Sequence, residues 1–317
     1  MSPETFDHVV VGAGLRGLAV ALRRRRERPD GSLLVVDAAP QAGGRVRTQR
    51  SNGFVCELGP FAFAGDAIDP VLACLAHAPR PIEPLPGALR GSRLEAAGLV
   101  AIDVVPAPRS FATGNEELPQ ACRRELGSAL RLARAVAAVR PTAHGIEVDL
   151  AGEARSTIRC RQLTLALPPE AAAPLLAPFD PQLPAVAEQI PTEHRAVVHL
   201  GGTSAGLLAL QGYGITVAAG ADTPLAEVVY CTRVFPRRAL GTRALVRIEL
   251  RADAADGEDA TSALAITELG RLTGTQPAPE FVRVHRTRHR IEDAVTVEYR
   301  ARIQAVARQW PQVQCVD

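Results

Sequence analysis

Three glycines and an aspartate carry the clearest chemistry in this chain. Gly12, Gly14 and Gly17 form G-x-G-x-x-G, with Ala13, Leu15 and Arg16 between them. The motif sits between an apolar run, His8–Val11, that reads as a strand, and an amphipathic stretch from Leu15 to about Arg28 that reads as a helix. Each glycine answers a separate mechanical need. The first permits a tight turn, the second lets backbone approach a pyrophosphate, and the third lets helix and strand pack closely. The helix N-terminus adds free N–H groups and partial positive charge for phosphates. A second apolar strand, Leu33–Val36, ends in Asp37, twenty positions after Gly17, with Ala38 beside it. A carboxylate there accepts hydrogen bonds from ribose hydroxyls. These residues predict an ADP-binding unit that could serve NAD, NADP or FAD. An acid at position 37 speaks against NADP, whose 2′-phosphate prefers Arg.

Gly43, Gly44 and Arg45 follow. Paired glycines let the chain pass close to a diphosphate, and Arg is a planar, permanently charged partner for it. Other candidates are thinner. His194, His199, His285 and His289 lie in strand-like segments at no diagnostic spacing. Arg286, Arg288 and Arg290, with His289, could meet carboxylates, although an exposed basic strand end explains them as well. No GxSxG elbow occurs, and every basic residue other than His is Arg. Without Lys, neither a Schiff base nor a Lys general base can operate.

The six cysteines are scattered, without CxxC or a nearby His at ligand spacing, so no metal site is expected and buried free thiols are. Net charge is +2, which argues against nucleic acid as a partner. No apolar stretch reaches the ~18 residues of a membrane span, and the N-terminus lacks a signal-like pattern. A cytoplasmic protein acting on a small molecule is expected. Peripheral membrane contact, self-association and a partner subunit all stay open.

The elements that must position these residues fall into two groups. The first half reads as strand–helix–strand followed by a strand and turn, GFVCELGPFAF. A Pro-rich stretch over 66–110 has one plausible helix at Pro70–His77, and a helix is expected at Glu116–Leu126. Short strands are expected at Leu130–Val139, His144–Leu150, Ala154–Cys160 and Leu163–Leu167. The four-arginine end of the first helix reads as solvated. In the second half, strands at Glu193–Leu200, Gly214–Val217, Glu227–Cys231, Arg243–Arg251 and Phe281–His285 accompany helices at Ala260–Leu272 and Val297–Gln309. Strands here do not alternate regularly with helices, which predicts an α+β partner domain.

VVVGAGLRGLAVAL, VVDAAPQAGGRVRT and GFVCELGPFAF together resemble the flavin amine oxidase superfamily, and within it the protoporphyrinogen oxidases. That resemblance implies an α/β fold: a doubly wound, Rossmann-like FAD-binding domain (1–65 and 109–178, with 298–317 returning to it) and a discontinuous α+β substrate domain (66–108 and 179–297). It implies FAD as cofactor, a hydride-donating C–H or N–H substrate such as a porphyrinogen, and a place in porphyrin biosynthesis. Gly59 and Pro60 match the family's Gly-Pro pair, Val136 would set its backbone against adenine, and Ala166 lies where LTLALPPEAAAPLL returns to the flavin domain. No side-chain base is implied, so the catalytic residues stay unassigned. The resemblance also implies a reduced substrate domain, because only about 43 residues between Gly65 and Pro108 stand where the family has a long helical region. The chain stops near the start of the family's last flavin-contacting segment. HRTRHRIEDAV lacks the Trp and Pro-Gln usual in its place. Two other readings share the N-terminal residues: a non-catalytic or partner-dependent nucleotide-binding relative, and an NAD-dependent dehydrogenase.

Overall fold

The computed structural model describes residues 3–151, 156–251 and 257–316. A strand, β1 (Glu4–Val11), enters the glycine turn, helix α1 (Leu15–Glu27) leaves it, and β2 (Leu33–Val36) returns beside β1 in parallel. Strand Leu130–Arg131 flanks β2, and Ser156–Leu165 flanks β1, both in parallel. Beyond Ser156–Leu165 its edge is shared: Val313–Cys315 pairs in parallel with residues 163–165, and a hairpin, Val136–Thr142 and Gly145–Leu150, pairs antiparallel with residues 156–160.

The apolar runs at the centre of this sheet are explained by burial on both faces. Val9, Val11, Leu34 and Val36 enter one core with helices Pro169–Leu176, Leu183–Glu188 and Ala294–Gln309. Val10 and Val35 enter another with α1 and helix Glu117–Leu126. This is the doubly wound arrangement.

A second sheet runs in the order Phe281–Arg290, Thr192–Gly202, Ala244–Arg251, Leu225–Val229, Gly214–Val217, Arg90–Glu95, Gly98–Asp103. It is antiparallel except where Gly214–Val217 meets Arg90–Glu95. Helix Glu258–Thr273 covers one face, burying Ala265 and Leu269 against Val198, Leu200, Val246 and Ile248. The other face meets the hairpin Thr48–Ser51 and Phe54–Glu57, where Phe54 stacks on Phe281 at 4.8 Å and Arg283 donates to Gln49.

Several sequence expectations change. The segments expected as strands at Ala154–Cys160 and Leu163–Leu167 are one strand from Ser156, with Ala154 outside the described residues. Strand Leu130–Val139 is broken by Ala133, whose positive φ turns the chain. Pro70–His77 shortens to a single turn, Asp69–Leu72. The unpatterned stretch after it supplies the hairpin Arg90–Asp103, an edge of the second sheet. The arginine cluster of α1 is only partly solvated. Arg25 donates to the carbonyls of Glu125 and Leu126, at the end of helix Glu117–Leu126, and Arg26 donates to that of Ala73. The four buried thiols, Cys56, Cys122, Cys160 and Cys231, are pushed up to about 12 by desolvation.

Candidate functional site: a glycine cradle facing a polar sheet

The glycine turn is held by backbone and leaves its outer side free. Gly12 has φ +105°, and its N–H donates to the Val36 carbonyl at 2.8 Å. A Cβ on Gly12 would lie 2.3 Å from the Ala166 carbonyl oxygen, and one on Gly17 would lie 1.9 Å from the Gly12 oxygen. Both glycines are therefore required by packing. Gly14 is different. Its φ of −65° and ψ of 168° suit any residue, and a Cβ there would meet nothing closer than 4.0 Å. The space beside Gly14 is left open at the N-terminus of α1, whose first turn has no acidic residue and no side-chain cap.

Asp37 closes one flank. Its Oδ2 accepts from the Ala13 N–H at 2.5 Å and its Oδ1 from the Ala39 N–H at 2.7 Å. A carboxylate offers about four lone-pair directions, so each oxygen keeps capacity for a ligand hydroxyl. The Asp37 backbone is tied to the segment before Val136 by bonds with Arg131 and Arg134. Ala38 is exposed at this corner.

Gly43 and Gly44 close the other flank. The Gly43 N–H donates to the Ala13 carbonyl at 2.7 Å, and Gly44, at φ +58°, would bring a Cβ to 3.0 Å from the Gly14 Cα. Arg45 is exposed and has no hydrogen-bond or ion-pair partner among the described residues. Gly59 packs against it so closely that a Cβ would lie 1.9 Å from the Arg45 carbonyl oxygen.

The segment from Glu57 to Phe61 is clamped from both halves of the molecule. Asn115 Nδ2 donates to the carbonyls of Pro60 and Phe61, each at 2.9 Å, and Arg247 Nη2 donates to that of Gly59 at 3.1 Å. Glu57 accepts from the Asn115 N–H and from Thr48, and pairs with Arg238 at 3.2 Å; both ionic side chains are 1% exposed. Desolvation pushes the Glu57 pKa up, with Arg238 opposing it. A buried pair of this kind adds little net stability yet punishes loss of either partner.

Above this segment lies the face of the second sheet turned away from helix Glu258–Thr273. Register places Glu249, Glu227 and Thr216 in one row, and His199, Arg247 and Val229 in the next. Arg247 pairs with Glu249 at 2.9 Å and Glu227 at 3.3 Å, while Arg195 pairs with Glu249 at 2.7 Å and with Glu193. His199 is fully buried, and burial holds its pKa at about 3. Of the histidines considered from sequence, His285 and His289 share this face, with pKa lowered chiefly by desolvation, and His194 is exposed. The proposed Arg286–Arg288–Arg290 grouping with His289 does not form. Strand alternation turns these arginines away from His289, and Arg286 bonds Gly257 and Thr261 beside the covering helix.

A profile described as NAD(P)-binding Rossmann-like domain matches residues 10–77, and one described as Flavin containing amine oxidoreductase matches residues 88–308. The chain belongs to the flavin-containing amine oxidoreductase family. Family membership makes FAD its cofactor and oxidoreduction its class of chemistry. Protoporphyrinogen oxidase 1 of Arabidopsis thaliana is 39% identical over 70 residues, a match covering 22% of this chain and 13% of that protein. A structure assigned to a protoporphyrinogen oxidase of Exiguobacterium sp. 255-15 superposes with TM-score 0.79 at 15% identity, covering 100% of this chain and 94% of that one. Cyclohexylamine oxidase of Brevibacterium oxydans gives 0.74 at 12% identity, covering 99% and 93%. Both likenesses concern the fold. None of the described helices is long and apolar enough to cross a membrane.

The sheet face was missed by sequence reasoning. Arg247 and Glu249 alternate with Val246, Ile248 and Leu250, a pattern that ordinarily means a solvated outer face. The signal was present, but the identity of the covering partner was not.

Proposed function

We propose that the chain is a FAD-dependent oxidoreductase resembling protoporphyrinogen oxidase, acting on a porphyrinogen-like C–H or N–H substrate. The observation that carries this reading is the open space at Gly14. No backbone conformation or neighbouring atom demands glycine there, whereas a diphosphate lying against the backbone would. In this reading Gly12, Ala13, Gly14, Leu15, Arg16 and Gly17 hold the diphosphate, and Asp37 with Ala38 receives the ribose. Gly43, Gly44 and Arg45 line the far side. Val136 stands near adenine, Ala166 supports the turn from beneath, and Gly59 with Pro60 continues toward the sheet. When bound there, FAD would supply the two-electron acceptor, with oxygen or another acceptor as the final oxidant.

The protein's own contribution is placement and shielding. Asn115 and Arg247 fix three successive carbonyls at the junction of the two halves, so the floor of the site needs no rearrangement before substrate arrives. The name of the Arabidopsis relative supports a porphyrinogen, and the fold shared with an amine oxidase makes amines the natural comparison.

The test is anaerobic mixing of the FAD-loaded protein with protoporphyrinogen, and separately with cyclohexylamine, while following the visible flavin band. Bleaching by the porphyrinogen at a rate well above the amine is expected. Faster bleaching by the amine would replace the substrate assignment, and no bleaching by either would overturn the reading.

A further inference from the structure

Three separate stretches of chain close around a surface cavity of about 540 Å³ near one edge of the second sheet. They are the start of strand Arg90–Glu95, the turn that enters Gly214–Val217, and residues 230–233 beyond Leu225–Val229. Backbone bonds stitch them together. The Tyr213 N–H donates to the Arg90 carbonyl, and the Tyr230 N–H to the Tyr213 carbonyl, each at 2.8 Å. Alternation along the first strand puts Arg90 and Ser92 on the same face as Leu94. Leu94 and Tyr230 belong to the core beneath helix Glu258–Thr273. The cavity therefore opens on the side of the sheet opposite the hairpin Thr48–Ser51 and Phe54–Glu57, and no residue assigned to FAD lines it.

The donors in its wall have capacity to spare. Tyr230 is 6% exposed, and its hydroxyl has no hydrogen-bond partner among the described residues, although it is not sealed from solvent. A buried hydroxyl is seldom left unpaired. Desolvation pushes this phenol up to about 12, so it stays a donor at neutral pH. Arg233 is fixed along one edge. Its Nε donates to the Leu210 carbonyl at 2.7 Å and its Nη2 to that of Leu208, which leaves Nη1 over. A guanidinium held in this way loses little freedom on meeting a further acceptor. The Arg90 side chain is exposed and has no hydrogen-bond or ion-pair partner among the described residues.

Charge decides what these donors meet. Both guanidinium groups line the cavity, and among the described residues no Asp or Glu does. Asp103 stands opposite Arg90 in the hairpin register, yet it forms no ion pair with Arg90 and lies outside the wall. A carboxylate would answer only one of the two positive charges. A phosphate monoester carries about −1.5 to −2 at pH 7 and presents three strong acceptor oxygens, which suits two arginines and a phenol.

We propose that this cavity is a second ligand site, separate from the FAD cradle, in which Arg90, Arg233 and the Tyr230 hydroxyl hold the phosphate of a small molecule. The shared chemistry is a phosphate dianion, either free or as a monoester.

Phosphorus NMR line broadening reads the binding, with inorganic phosphate and glycerol phosphate each titrated with the full chain at saturating FAD. Inorganic phosphate is expected to broaden. Broadening of glycerol phosphate as well identifies a monoester as the source, and a sharp ester line identifies free phosphate. Arg90→Gln and Tyr230→Phe should each weaken binding at least about fivefold, the effect of one lost hydrogen bond, with FAD content unchanged. Arg93→Gln removes the same charge from the opposite face of the same strand and should change binding less than about twofold. If Tyr230→Phe fails to fold, the exposed Arg90 position decides alone. Absence of broadening, displacement of phosphate by equimolar acetate, or an equal loss of binding in Arg93→Gln would overturn the proposal.

Discussion

Gly17→Val is expected to abolish FAD retention and to lower stability by about 3 kcal/mol, the upper part of the usual overpacking range. The added Cβ would lie 1.9 Å from the Gly12 oxygen and 3.1 Å from the Ala166 Cβ. Neither neighbour can yield cheaply. Gly12 is bonded to Val36 on one side, and Ala166 donates its N–H to the Val11 carbonyl at 2.8 Å. The start of α1 must therefore lift from β1, which moves the N–H groups that would face the diphosphate. Gly14→Ala separates the two effects. Its Cβ enters open space at an ordinary φ, so thermal stability should change little while FAD binding weakens sharply. Thermal melts with flavin quantitation check both variants. A Gly14→Ala protein that holds FAD as tightly as the parent would show that the open space is not the ligand's.

Acid should unfold this protein early. His8 is 6% exposed and hydrogen-bonds Thr164 at 2.8 Å; burial first, then Arg24, holds its pKa at about 4. His199 is held at about 3, by burial and then by Arg247, His285 and Arg238. Both values lie below that of an unfolded histidine, near 6.5, so the unfolded chain binds the extra protons. The stabilising contribution is intact above pH 6.5 and is lost as pH falls toward the folded values. By pH 4.5 each histidine costs about 3 kcal/mol, using 1.36 kcal/mol per pKa unit. Together that is a large share of the roughly 5–15 kcal/mol that holds a typical domain. Denaturant melts at pH 7 and pH 4.5 should show the loss. His199→Leu should recover about 3 kcal/mol of it, and an unchanged acid limb in that variant would refute the buried neutral imidazole.

The cradle was legible because its causes are local. Gly12, Gly17 and Asp37 act within one strand–turn–helix–strand unit, where spacing alone fixes the geometry. The junction was not legible, because its partners are distant in the chain: Arg238 and Ser110 are 128 positions apart, and Arg247 and Gly59 are 188 apart. Nothing in the neighbourhood of either arginine says whether it meets water or a buried carbonyl. The hairpin Arg90–Asp103 was hidden for a related reason. It is an edge with three exposed residues in a row, Leu99, Val100 and Ala101, so the alternation that announces a half-buried strand is absent. Strand alternation did hold the answer for Arg286, Arg288 and Arg290, which cannot share a face with His289.

The central claim is that the glycine cradle and its flanks hold FAD. Its most direct test is the visible absorption spectrum of the purified chain, titrated with FAD and then washed free of excess. One tightly held flavin per chain, released on heating and identified as FAD by chromatography, is the predicted result. A protein that stays colourless at saturating FAD would contradict the account.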